Sequence, residues 1–292
     1  MNYMVRNKLH IFRKHDISSS RLVIGFSGWM NSGDVSIGSI KWLIDKLGAT
    51  RTAAIAADGF YIYNFPGAMG TAEEFRPYVR IDDGIVSSYE EPENLFYYDK
   101  VNHLMLFLGK EPNVNWDEFA ECIIAVCKDY SICEIYFVGS VGGLVPHTRQ
   151  GKIVCSLSDI RYRDEFAEHG FKFTNYSGPA SFINHLQVKC SKHDIMMVCL
   201  MLTTPAYIHG DNPKCMEAAI LNLKNILGLK VNLSKLRNLS DEFEKKLNDV
   251  IREMPELAES IEKLEEDFDK ELINEEMGDL KAWLEEKGVR LD

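Results

Sequence analysis

The sequence predicts an α/β protein, specifically a three-layer α/β/α sandwich followed by a C-terminal helical hairpin. Short apolar runs alternate with helical stretches as far as residue 228. Those runs lack period-two alternation, which implies a sheet covered on both faces. From residue 232 onward a stripe of apolar residues at three- and four-residue spacing takes over.

The first run, residues 21–26, breaks at Ser27-Gly28-Trp29 and a polar loop through Asp34 follows. Val35, Ile37, Ile40, Trp42, Leu43, Ile44 and Leu47 then fit a mostly buried helix closed by Gly48. Residues 53–57 read as the next strand, 86–89 as another, and 104–108 as a fully buried one. A helix over 116–130 places Phe119, Cys122, Ile123, Val126 and Cys127 on one face. Residues 134–138 form a buried strand ended by Gly139, 181–191 a helix and 195–202 a strand. A helix over 213–227 has Pro213 in its first turn and Gly228 at its end.

Leu236, Leu239, Phe243, Leu247, Val250, Met254, Leu257, Ile261, Leu264 and Phe268 form a narrow apolar stripe interrupted by Pro255. A proline inside a helix costs about 3 kcal/mol, so two helices are expected, with Pro255 opening the second. They should pair as a hairpin docked on the body or on another subunit. Gly278-Asp279 is expected to start a third short helix over 280–287. The organisation is a body, 1–229, and an arm, 230–292.

The chain of 292 residues carries 44 acidic and 33 basic side chains, a formal charge of −11. The body holds 25 acidic and 22 basic residues and the arm 19 and 11, so most of the excess acid lies on the arm. This balance argues against nucleic acid and anionic membrane surfaces as partners, since both call for a basic face. No apolar run approaches the roughly 18 residues of a membrane span. The first six residues, with charge among them and no apolar stretch, do not read as an export signal. Seven cysteines without a Cys-x-x-Cys pair read as small buried hydrophobes in a reducing cytoplasm.

Two loops follow predicted strands and are the candidate ligand or partner sites. The first contains Gly28, Trp29, Asn31, Gly33 and Asp34. Backbone N–H groups there, at a strand end and a helix start, can hold an anion. It matches neither a Walker A loop nor Gly-x-Gly-x-x-Gly, and Trp29 breaks the Gly-x-Ser-x-Gly pattern. The second runs from Gly139 to Pro146, His147, Thr148 and Arg149, groups able to donate to an anion or accept a proton. No complete catalytic set, metal set or cofactor motif is present, and the acidic run over 262–269 reads as a solvated helix face. Phe60, Tyr61, Tyr63 and Phe65 read as core or subunit-interface residues in preference to a binding surface.

The order of motifs resembles the PAC2 family, named for a proteasome assembly chaperone. The matching pieces are Gly28-Trp29 with Gly33-Asp34, the 94–98 run Asn-Leu-Phe-Tyr-Tyr, and Leu108-Gly109-x-Glu111-Pro112 with Trp116-x-Glu118-Phe119. Pro146-His147-Thr148-Arg149, Tyr176-x-Gly178-Pro179, Asn212-Pro213-Lys214 and Met254-Pro255-Glu256-Leu257 follow in order. The resemblance implies a phosphorylase/hydrolase-like α/β/α fold with a helical appendage. It also implies self-assembly into rings or small oligomers such as a trimer, and a protein-binding role without established enzymatic activity. Chaperone relatives can dock on proteasome α-rings through a hydrophobic-Tyr-x tail. The ending Val289-Arg290-Leu291-Asp292 lacks it, which speaks against that docking here. The alternative is an enzyme, a small-molecule hydrolase or phosphorylase or an ATP-grasp-labelled ligase, with a crevice formed by 28–34 and 147–149. No glycine-rich ATP-covering loop paired with a nucleotide-binding lysine supports the ligase reading.

Overall fold

The structure is a computed structural model that describes residues 7–13, 21–64 and 76–286. Phe65, the first six residues and the 289–292 tail lie outside the described residues. The strands are β1 (Leu9–Ile11), β2 (Arg21–Ser27), β3 (Thr50–Ile55), β4 (Tyr78–Asp82), β5 (Ile85–Glu90) and β6 (Asn94–Asp99). They continue with β7 (Leu104–Lys110), β8 (Glu134–Gly143), β9 (Ile153–Leu157), β10 (Lys172–Phe173) and β11 (Met196–Pro205). The helices are α1 (Val35–Leu47), α2 (Trp116–Asp129), α3 (Arg163–Glu168), α4 (Phe182–Lys192), α5 (Pro213–Leu227), α6 (Ser234–Arg252) and α7 (Pro255–Glu286).

Nine strands form one mixed sheet in the order β1-β3-β6-β7-β2-β8-β11-β9-β10. The central four, β7, β2, β8 and β11, are mutually parallel, and antiparallel pairs flank them. Alternate side chains of one strand enter opposite cores. Leu22, Ile24 and Phe26 join α2 and α4, whereas Val23 joins α1 and α5. Both faces being covered, the sequence needs no polar alternation here, and the expected three layers are formed. Phe26, Phe107, Phe119 and Phe182 meet with centroids 5.2–6.4 Å apart, and Phe60 and Tyr61 are core residues beside them.

Local signals fixed most helix ends. Gly48 and Gly228 take left-handed conformations after α1 and α5, and Pro213 opens α5 behind the Asn212 cap. Ser181 and Asn184 form a reciprocal capping box on α4. Two expectations are corrected. The strand does not end at Gly139: β8 continues to Gly143, paired with β11. A Cβ at Gly139 would lie 2.5 Å from the Phe137 ring and 2.7 Å from Met201 Sδ, so this glycine serves packing and does not end the strand. A separate third helix is not formed either, because α7 runs unbroken through Gly278 to Glu286. One helical glycine costs only about 1 kcal/mol relative to alanine, too little to stop a 32-residue helix.

The arm grows directly out of the core. Leu229, Leu233 and Leu236 are buried with α5, so the first half of α6 completes one face of the body. After the turn at Met254, Ile261 and Phe268 are the buried positions of α7 among the described residues. No helix among the described residues is long and apolar enough to cross a membrane.

All seven cysteines are free thiols and only Cys133 is exposed. Burial pushes Cys122, Cys155 and Cys190 up to about 12 and Cys215 up to about 11. A thiol reagent at pH 8, on the order of the ordinary thiol range, is therefore expected to modify Cys133 alone until the protein is unfolded. Rapid modification of a second thiol in the native state would contradict this packing.

Candidate functional site

The carboxyl ends of the four parallel strands form a rim, the usual ligand position in an open α/β sheet. Both candidate loops lie on it. Gly28, just past β2, has φ of +144°, and a Cβ there would sit 2.6 Å from Glu111 Oε2. Its absence admits Glu111, which follows β7. The Glu111 carboxylate accepts the Trp29 N–H at 3.0 Å and the Phe182 N–H, in the first turn of α4, also at 3.0 Å. An acid of the chain itself thus takes the place at a helix N-terminus that anionic ligands favour. The clamp leaves the Trp29 side chain 59% exposed.

The rest of this loop is knitted into the sheet. Asn31 Oδ1 accepts the Ile37 N–H and its Nδ2 donates to Asp34. Ser32 Oγ meets Thr204 Oγ1 at 2.7 Å, and the Ser32 carbonyl accepts from Ser140 Oγ. Gly33 and Asp34 are left-handed, a conformation aspartate tolerates, and the Gly33 carbonyl accepts the Asn212 N–H. Asn212 Oδ1 in turn caps α5 by accepting the Cys215 N–H.

The second loop turns at Pro146, whose carbonyl accepts the Arg149 N–H. His147 is 3% exposed. Its Nε2 meets Asn248 Oδ1 on α6 at 2.9 Å, and its Nδ1 meets the Tyr207 hydroxyl at 2.8 Å. A carboxamide oxygen only accepts, so the network assigns the proton to Nε2; Nδ1 then accepts from Tyr207. The Tyr207 oxygen also accepts the His147 backbone N–H. Lys214 Nζ donates to the His147 carbonyl and to Glu244 of α6. Neither ring nitrogen is left to abstract a proton from a substrate.

Thr148 and Arg149 face α7. Thr148 Oγ1 donates to Glu265, and Arg149 donates from Nε and one terminal nitrogen to the two oxygens of Asp269 at 2.9 and 2.8 Å. The anion-binding groups of the loop therefore receive their anions from the chain's own arm. Within the acidic run, Glu265 and Asp269 belong to the docking face, whereas Glu262, Glu266 and Asp267 are exposed. The Arg149 guanidinium, by hydrogen bond and charge, holds the Asp269 carboxyl below its usual range. A lowered folded-state value means stabilisation that is present above the unfolded value and lost as pH falls through the folded one. Acidification below about pH 4, the unperturbed range, is expected to lower the protection of amides around Asp269 in α7, each exchange rate being compared with the intrinsic rate at the same pH. Protection there that stays unchanged down to about pH 2 would contradict the pairing.

The two loops meet through β8 and the segment after β11: Asn31 bridges Ser140, and Asn212 bonds Gly33. A cavity of about 250 Å³ lies between the second loop, α5 and α6, lined by Val145, His147, Arg149, Lys214, Phe243 and Glu244 among others. Among the described residues no three His, Cys, Asp or Glu side chains gather as metal ligands. Sequence reasoning missed Glu111, Tyr207 and Asn248. Glu111 stood inside a quoted motif, Leu108-Gly109-x-Glu111-Pro112, without a role. Tyr207 and Asn248 carry no local signal, because their partner is 60 and 101 residues away.

Several solved structures share the fold. A proteasome-assembly chaperone homologue of Mycobacterium tuberculosis is 24% identical with a TM-score of 0.71, over 82% of this chain and 98% of that one. A PAC2 family protein from Streptomyces avermitilis is 22% identical with a TM-score of 0.68, over 80% and 95%. An archaeal proteasome activator from Pyrococcus furiosus is 16% identical with a TM-score of 0.61, over 83% and 97%. No curated protein sequence matches the chain. The sequence pattern of the PAC2 family matches residues 25–251, from the end of β2 to the end of α6 and through both loops, and the chain belongs to that family.

Proposed function

We propose that this chain is a protein-binding assembly factor of the proteasome-assembly-chaperone kind, acting as a homo-oligomer and without chemistry of its own. One observation carries this reading. The polar groups of both loops, His147 above all, are bound within the molecule, while apolar side chains are left at the same rim. Trp29 and Leu144, after neighbouring strands, are 59% and 84% exposed. Exposed aromatic and aliphatic side chains are what a protein partner covers. The crevice enzyme of the alternative reading lacks a free base at His147. Relatives that include a proteasome-assembly chaperone homologue and a proteasome activator favour contact with a protein assembly. The free thiols favour a reducing compartment, the cytoplasm.

Surface variants test it. Trp29→Asp and Leu144→Asp leave every hydrogen bond described above in place. Each is expected to keep wild-type unfolding behaviour while losing most of the protein that the intact chain captures from a lysate of its own cells. Unchanged capture by both folded variants would overturn this use of the rim.

A further inference from the structure

Two apolar surfaces have no cover among the described residues, and their chemistry is complementary. The first is the β4–β5 ribbon, a two-stranded sheet separate from the main one. Its register pairs Val79 with Tyr89, Arg80 with Ser88, Ile81 with Val86 and Asp82 with Ile85. Side chains alternate along a strand and cross-strand partners share a face. The register shift between Arg80 and Ile81 takes up Ser87, and so Val79, Ile81, Val86 and Tyr89 fall on one face. All four are exposed, between 46% and 61%. A free two-stranded ribbon is marginally stable in water, so one with a wholly apolar face calls for a partner.

The second surface is the edge of the main sheet at β1. Among the described residues β1 pairs with β3 alone, which leaves its outer edge open. Exposed Ile11 and Phe12 lie at one end of this edge, where the Phe12 N–H reaches Thr52. Ile62 and Tyr63, also exposed, follow the turn at its other end, where Lys8 meets Asp58. Charge separates the two surfaces. Residues 7–13 and 58–63 hold Lys8 and Arg13 against Asp58, which is paired with Lys8, a net of +1, whereas residues 78–91 hold Arg80 against Asp82, Asp83, Glu90 and Glu91, a net of −3. Within one molecule the ribbon starts beside this edge, Arg76 Nε donating to the Tyr63 carbonyl, yet its apolar face stays uncovered.

We propose that the occupant of each surface is a second copy of this chain: the apolar face of one ribbon lies along the β1 edge of another molecule. The acidic ribbon meets a basic edge, and an open edge strand is covered. The proposal rests on the self-associating reading above and names the surfaces that it uses.

Cross-linking between two variants tests it. In a Cys133→Ser background, which removes the exposed native thiol, one preparation carries Val86→Cys and the other Ile11→Cys. A short bismaleimide is expected to join the two on mixing, at least tenfold more than it joins either alone, and Ile81→Asp on the ribbon should abolish the product. Absence of the mixed product, while a lysine-reactive reagent still joins wild-type copies, would overturn the ribbon contact and leave self-association standing. Absence of both would overturn both. Hydrogen exchange gives a second readout: amides of β1 (Leu9–Ile11) should exchange faster in the Ile81→Asp variant than in the wild-type chain, and equal β1 exchange in the two would overturn the proposal.

Discussion

Glu111→Ala is expected to destabilise the protein by about 3 kcal/mol, because a charged acceptor is removed from two backbone donors. Both hydrogen bonds, to Trp29 and Phe182, join the β2 loop to α4 through the residue that follows β7. Glu111→Gln should do little better, since a carboxamide presents a nitrogen donor to one of the two N–H groups. Added formate or acetate should recover part of the loss in the alanine variant by occupying the vacated place between the donors. Gly28→Ala belongs to the same experiment. Its Cβ would approach Glu111 at 2.6–2.7 Å on a backbone with φ of +144°. Part of its cost should vanish in the Glu111→Ala background, giving clear non-additivity in a double-mutant cycle. Urea unfolding measures all four variants. An alanine variant within about 0.5 kcal/mol of wild type, the range of ordinary surface changes, would show that this clamp is not what holds the rim together.

His147→Ala is expected to cost a similar amount, about 3 kcal/mol, for different reasons. The ring is buried, so its removal leaves a space as well as an unpaired Asn248 oxygen and a Tyr207 hydroxyl without its acceptor. The loss should also spread. Asn248 is on α6, so hydrogen exchange in the second half of that helix is expected to speed up, whereas exchange in α2 and α4 on the other face of the sheet should not change. A variant that unfolds like wild type, with α6 exchange unaltered, would contradict a structural role for this histidine and return it to the candidates for chemistry.

These two residues also mark what was legible in the sequence. The layered fold was, because its signals are local or periodic: the apolar runs at Leu22 and Ile135, Pro213 in the first turn of α5, and the stops at Gly48 and Gly228. The two loops were legible as strand-end positions. Their chemistry was not, since it depends on partners brought from afar: Glu111 to Trp29 across 82 residues, Arg149 to Asp269 across 120. His147 and Arg149 read as part of a candidate ligand or partner loop in one dimension, and the helices α6 and α7 satisfy them in three. Several strands also escaped, the buried β6 and the apolar β9 among them. Lys172-Phe173 in β10 and the exposed β1 are short edge strands, and β9 carries Cys155 and Ser156 at its centre. Glycines misled in both directions, Gly139 lying within a strand and Gly278 within a helix.

On the function proposed above, this chain works by contact, as a self-associating body in which His147 and Arg149 are structural. Native mass spectrometry of the intact chain across a range of micromolar concentrations tests it most directly. A persistent mass of two or more whole chains is expected. The mass of one chain at every concentration would contradict it.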